Sequence, residues 1–107
     1  MEKKILIICE AGISASLFVS KFIEESKRNL DNFIVEYAPI GRVQDKLSQD
    51  KYDVIVLTPQ VRRHEDVIGS AVKEAEGSSK MVFISEGDFS TMNIANIYGD
   101  VKEVLAQ

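Results

Sequence analysis

The chain has 107 residues, 45% hydrophobic and 28% charged, which supports one folded domain spanning 1–107 and excludes a disordered chain. Acids outnumber bases 17 to 13 for a net charge of -4, and the bases are scattered among the acids, so a phosphate-tracking nucleic-acid surface is excluded. The first apolar run, Ile5 to Ile8, is too short for a signal peptide or for the roughly 20 residues of a membrane span, so a cytoplasmic protein is expected.

Lys4 to Cys9 is a short, continuous, β-branched apolar run and predicts a buried strand. Ala15 to Asn29 follows with Leu17, Phe18 and Phe22 on one face and Glu24, Glu25, Lys27 and Arg28 around the rest, an amphipathic helix. Phe33 to Ala38 predicts a second strand of the same buried kind. Val43 and Leu47, four apart, predict a short helix that ends before Asp50. Val54 to Leu57 is the third strand. Arg62 to Ala75 places Ile68, Ala71, Val72 and Ala75 on a helix face, with Gly77 as the stop, although Gly69 inside it costs about 1 kcal/mol relative to alanine. Met81 to Ile84 is the fourth strand. Thr91 to Leu105 carries Ile94, Tyr98, Val101 and Leu105 at helical spacing, with Ser90 as its cap and the stripe from Met92 to Leu105 as core.

The pattern is β-α repeated four times. Strands that are apolar throughout are buried on both faces, so the expectation is an α/β fold with helices on both sides of an open, four-stranded parallel sheet. Right-handed crossovers favour the order 2-1-3-4, a flavodoxin-like, Rossmann-like three-layer arrangement. Ligands in such sheets bind beyond the carboxyl ends of the strands where the chain turns outward both ways, here after strands one and three. Two loops meet there: Cys9-Glu10-Ala11-Gly12-Ile13-Ser14-Ala15-Ser16 and Thr58-Pro59-Gln60.

The first loop has the makings of an anion cradle. A helix opens within a few residues of Cys9, and helix amino termini carry unpaired N–H groups and roughly half a positive charge. Gly12 among small neighbours lets successive N–H groups converge, and Ser14 and Ser16 add hydroxyls or cap the helix. A thiol facing that cradle is expected to ionise more easily than a free cysteine near pH 8.5. The same cradle suits three phosphoryl oxygens. Against this stands the plainer alternative that Cys9 is a small core residue, since free cysteine is among the most buried types.

The run from Ile7 to Leu17 resembles the phosphocysteine loop of enzyme IIB in the lactose/cellobiose branch of the phosphoenolpyruvate-dependent sugar phosphotransferase system. Leu57-Thr58-Pro59-Gln60 resembles that family's Leu-Gly-Pro-Gln stretch after strand three, and the length and β-α order match over nearly the whole chain. The resemblance implies a relay. A phosphohistidine on enzyme IIA donates to Cys9, and phosphocysteine donates to a sugar bound by the membrane permease, enzyme IIC. It implies that Cys9 is the phosphorylated nucleophile and that Glu10, Ala11, Gly12, Ile13, Ser14, Ala15 and Ser16 form the phosphate-binding loop. Pro59 and Gln60 support it. A β-glucoside or a disaccharide such as cellobiose or lactose would be the sugar, and the protein would meet the inner face of the membrane transiently through IIC. Glu10 stands where the family usually carries a small residue, and Ala15 where a threonine is common.

The alternative reading is a thiol enzyme of the low-molecular-weight phosphatase or arsenate reductase kind. Those enzymes clamp an oxyanion with an arginine after the loop, and Ile13-Ser14-Ala15-Ser16 contains none. A relay protein does without such a clamp, because its phosphoryl group must survive until the acceptor arrives. A receiver domain requires paired acids at the end of strand one, and a dinucleotide fingerprint requires three glycines where only Gly12 occurs. No metal, flavin, haem or nucleotide is implied by any grouping. His64, beside Arg62 and Arg63, reads as a solvated residue of a charged segment, and direct in-line phosphoryl transfer, which needs positioning more than a base, does not require it.

Overall fold

The computed structural model describes residues 3–9, 13–31, 33–74 and 80–106, with the side chains at 13–15, 60 and 62 outside that description. In chain order the elements are β1 (Lys3–Cys9), α1 (Ile13–Arg28), β2 (Phe33–Pro39), α2 (Val43–Gln49), β3 (Val54–Leu57), α3 (Glu65–Glu74), β4 (Lys80–Phe83), α4 (Glu86–Ser90) and α5 (Ile94–Leu105). The strands pair in the order β2-β1-β3-β4, all parallel, as their patterning requires.

Alternation along each strand divides the core in two. Ile5 and Ile7 of β1, with Val54, Val56 and Val82, meet Phe18 and Phe22 of α1 and Ile97, Tyr98 and Val101 of α5. Leu6 and Ile8, with Ile55 and Leu57, meet Val43 and Leu47 of α2 and Ile68, Ala71 and Val72 of α3. The central strands are sealed on both faces: Ile5 to Ile8 and Val54 to Leu57 are at most 1% exposed. The edge strands are not. Ile34 and Tyr37 on β2 and Phe83 on β4 are exposed, because each edge strand has only one neighbour and less helix above it. The expectation of burial on both faces therefore holds for two strands of four.

The helices differ from the sequence reading in three places. Leu17 is exposed, and the buried stripe of α1 is instead Phe18, Val19, Phe22 and Ser26. The segment before α3 is a 3-10 helix, Pro59–His64, so α3 begins at Glu65. The last helix starts at Ile94 with Asn93 as its cap, whose side chain accepts from the Asn96 N–H. A separate short helix, α4, precedes it, and Ser85 caps that one by accepting from the Asp88 N–H at 3.1 Å. The predicted stop at Gly77 and the helix residue Ala75 lie outside the described residues.

Two helix ends close in the same unusual way. Leu30 (φ 59°) and Met92 (φ 54°) occupy the left-handed position after α1 and α4, where glycine is the common choice. After α1, the Leu30 N–H reaches the Lys27 carbonyl at 3.1 Å and the Asp31 N–H reaches the Ser26 carbonyl at 2.9 Å. After α4, the Met92 N–H reaches Phe89 at 3.1 Å and the Asn93 N–H reaches Asp88 at 2.8 Å. Both satisfy the otherwise orphaned carbonyls of a helix end.

The amino-terminal end of the sheet is tied by charge. Lys4 pairs with Asp50, and its backbone N–H donates to the Asp53 carboxylate at 2.9 Å. Tyr52 donates to Glu36 at 2.7 Å, and Lys46 joins Glu36 at 3.3 Å. On the other side of the sheet, Asp31 accepts from the Tyr98 hydroxyl and pairs with Lys102 at 3.0 Å. Lys80 donates to the Val104 carbonyl at 3.0 Å, a cation on the last turn of α5.

Candidate functional site

β1 delivers Cys9 to the carboxyl end of the sheet. Its register places Cys9 beside Pro39 of β2, and Ile8 beside Leu57 of β3, so Cys9 stands level with Thr58. Strand one is central and turns outward into α1, while strand three turns outward the other way into the 3-10 helix and α3. Cys9 therefore sits at the switch point, between the two crossovers.

Cys9 is 7% exposed, and its thiol donates to the Ala38 carbonyl at 3.9 Å, a long contact with the neighbouring strand. Burial pushes the Cys9 thiol above its ordinary value of 9.0. That direction is opposite to the one the loop sequence suggested. The reason is that the surroundings described here are apolar side chains and a neutral carbonyl, which disfavour the charged form.

On the β3 side the fixing is firmer. The Thr58 N–H donates to the Ile8 carbonyl at 3.2 Å, and the Thr58 hydroxyl donates to the same oxygen at 3.0 Å. Thr58 is 2% exposed. Its own carbonyl accepts from the Val61 N–H at 3.1 Å and starts the 3-10 helix, where half-buried Pro59 takes the first position. The predicted second loop is thus a short helix capped from beneath by Thr58. Its hydroxyl was not singled out by sequence reasoning. The available signal was a lone hydroxyl directly after a wholly apolar strand.

The other predicted residues divide by what is described. Glu10, Ala11 and Gly12 lie outside the described residues, as do the side chains of Ile13, Ser14, Ala15 and Gln60. The α1 backbone begins at Ile13, four positions after Cys9, so the amino-terminal pole of α1 opens at the same end of the sheet as the sulfur. Ser16, in the first turn of α1, is exposed. His64 is half-buried and accepts from Arg63 Nε at 3.3 Å.

Two hollows flank this end. A cleft of about 440 Å³ lies between α2, α3 and the turn at Ile40 to Arg42, with Val43, Val67, Ile68 and Ala71 in its walls; neither Cys9 nor Thr58 lines it. A smaller one of about 230 Å³ is lined by Tyr37, Ala38, Pro39, Arg42 and Lys46, and so abuts the carbonyl that receives the thiol. Among the described residues, no helix is long and apolar enough to cross a membrane.

Comparison with known proteins gives one family and one fold. The model of the family "PTS system, Lactose/Cellobiose specific IIB subunit" matches residues 4–107. Among solved structures, the lactose-specific IIB component domain from Streptococcus pneumoniae superposes with a TM-score of 0.79 at 18% identity, covering 96% of this chain and 97% of that one. The cellobiose-specific phosphotransferase IIB component from Borrelia burgdorferi superposes with a TM-score of 0.75 at 24% identity, covering 99% and 94%. No curated protein matches the sequence significantly. At those identities the two structures establish the sheet order and layering. The family match extends over nearly every residue, and the chain belongs to the lactose/cellobiose-specific IIB subunits of the phosphotransferase system, the phosphoryl-relay subunits of sugar transport.

Proposed function

We propose that Cys9 is the phosphoryl carrier of this subunit, loaded by the phosphohistidine of a IIA component and unloaded onto a sugar held by a IIC permease. In the first step the sulfur attacks phosphorus, the S–P bond forms as the donor's N–P bond breaks, and the thiol proton goes to the departing imidazole. In the second, a sugar hydroxyl attacks phosphorus, the S–P bond breaks, and the hydroxyl proton returns to sulfur.

One observation carries this reading: the chain's single cysteine stands at the switch point of a parallel sheet, level with the opening pole of a helix. The raised thiol pKa fits the proton bookkeeping. A thiol still protonated at neutral pH has its proton removed during transfer, and imidazole, with an ordinary pKa of about 6.5, is basic enough to share it as its phosphoryl group leaves. The loop from Glu10 to Ser16 would hold the phosphoryl oxygens, with Pro59 and Gln60 bracing it from the β3 side. Glu10 opposes a dianion if it turns inward and matters little if solvent screens it.

Docking at this end has visible support. Leu17, Tyr37, Val67 and Phe83 are exposed large apolar side chains carried near the carboxyl ends of the strands or the first turns of the following helices. Partners that must bring a phosphohistidine, then a sugar, to one sulfur would cover such residues. The sugar would be a β-glucoside or a disaccharide such as cellobiose or lactose, and the protein would work in the cytoplasm, reaching the membrane through IIC.

The Cys9→Ser variant tests the assignment. It should fold normally and accept no phosphate from phosphorylated IIA. Transfer at the wild-type rate would remove Cys9 from the mechanism, and rapid turnover of p-nitrophenyl phosphate by the wild type would replace the relay with a hydrolase.

A further inference from the structure

Thr58 does more than finish a strand. The Ile8–Cys9 peptide is planar, so the Ile8 carbonyl, the Cys9 N–H and the Cys9 Cα share one plane. Thr58 holds the oxygen of that plane twice, through its N–H at 3.2 Å and its hydroxyl at 3.0 Å, beyond the last paired residues Ile8 and Leu57. With a single donor, the β3 side of this strand-end peptide would be held at one point. Two donors from a single buried residue fix it more tightly on that side. On the opposite side the Cys9 backbone is paired in register with Pro39 of β2, and the thiol adds a long contact with the Ala38 carbonyl.

We propose that Thr58 is a positioning residue for phosphoryl transfer, acting through the Ile8 carbonyl to fix the direction in which the Cys9 side chain leaves β1. This inference rests on Cys9 being the carrier. In-line attack is sensitive to direction, and a misplacement of about 1 Å can cost about 100-fold in rate. The Thr58 carbonyl, which receives the Val61 N–H, anchors the 3-10 helix to the same point, so the two loops of the switch point share one residue.

The test compares Thr58→Val, which keeps the volume and removes the hydroxyl, with Thr58→Ser, which keeps the hydroxyl. Both should unfold thermally as single cooperative transitions. With phosphorylated IIA as donor, the valine variant should lose about tenfold in maximal transfer rate with the KM for donor unchanged, and the serine variant should recover most of it. Equal rates in valine variant and wild type overturn the proposal, and so do equally slow valine and serine variants, because packing would then explain the loss. Alkylation of Cys9 by iodoacetamide reads the sulfur without any transfer: the pH-rate profile should move in the valine variant and stay put in the serine variant. An unmoved profile in both overturns the proposal. A wild-type chain that takes no phosphate on Cys9 overturns the carrier assignment and this role together; a wild-type chain that does, beside an equally fast valine variant, overturns this role alone.

Discussion

The two ends of the sheet are built from different materials. At the amino-terminal end Lys4, Asp50, Asp53, Asp31, Tyr98, Lys102 and Lys80 knit strands to helices through charged hydrogen bonds. Around Cys9 itself the described fixings are neutral, a threonine on a carbonyl and a thiol on a carbonyl. Charged contacts at that end, Arg42 with Asp45 and Asn96 with Asp88, lie out on the helices beside exposed apolar side chains. At the sulfur, burial is the cause of the raised thiol pKa. The end where we propose that the phosphoryl group is received and surrendered is held, next to the sulfur, by geometry.

Breaking the fixed end at its packing should have the largest effect. Phe22 is fully buried, with its ring 5.4 Å from Tyr98 and 6.3 Å from Phe18. Phe22→Ala should destabilise the protein by about 4 kcal/mol in denaturant unfolding. A cost under about 1 kcal/mol would mean that the aromatic stack is not what seats α1 and α5 on the sheet.

Acid comes next. The Tyr98 hydroxyl and then Lys102 hold the Asp31 carboxyl below its ordinary 3.8, Tyr52 and Lys46 do the same for Glu36 against 4.5, and Lys4 does so for Asp50. Folded pKa values below the unfolded ones give stability that is present above the unfolded values and lost as pH falls through the folded ones. Stability should therefore decline below about pH 4.5. Tyr98→Phe should remove about 1 kcal/mol at neutral pH and flatten the acid decline, while leaving phosphoryl transfer unchanged. A slowed transfer in that variant would show that the two ends are coupled.

The smallest effect is a gain. Leu30 is 90% exposed and held at φ 59°. Leu30→Gly should relieve the left-handed strain and raise stability by about 0.5 kcal/mol, after allowing for the larger freedom of glycine in the unfolded chain. A loss in thermal unfolding would indicate that the leucine side chain stabilises the helix end in some other way.

Strand positions were legible because apolar runs of four to six residues have few other uses, and Val54 to Leu57 was read to the residue. Edge exposure was signalled in β2 only by Glu36 within the otherwise apolar run from Phe33 to Ala38, and Met81 to Ile84 gave no such sign. The short helix α4 was not predicted because its five residues carry no apolar stripe, and the late start of α5 was hidden because Met92 takes a backbone conformation that methionine does not advertise. Leu17 was misassigned because apolar type alone does not say to which side of Phe18 the buried stripe extends, and it extends to Val19. At the site, Cys9 and its place at the strand end followed from residue order alone. The role of Thr58 depends on two bonds to one oxygen, which no pattern of types encodes.

Incubation with phosphoenolpyruvate and the upstream phosphoryl carriers, followed by intact and peptide mass spectrometry, is the most direct trial. A single added phosphoryl group should map to Cys9 and be discharged by iodine, which cleaves sulfur–phosphorus bonds. A group found on serine or histidine, or none at all with a IIA donor shown to be charged, would contradict the assignment of Cys9 as carrier.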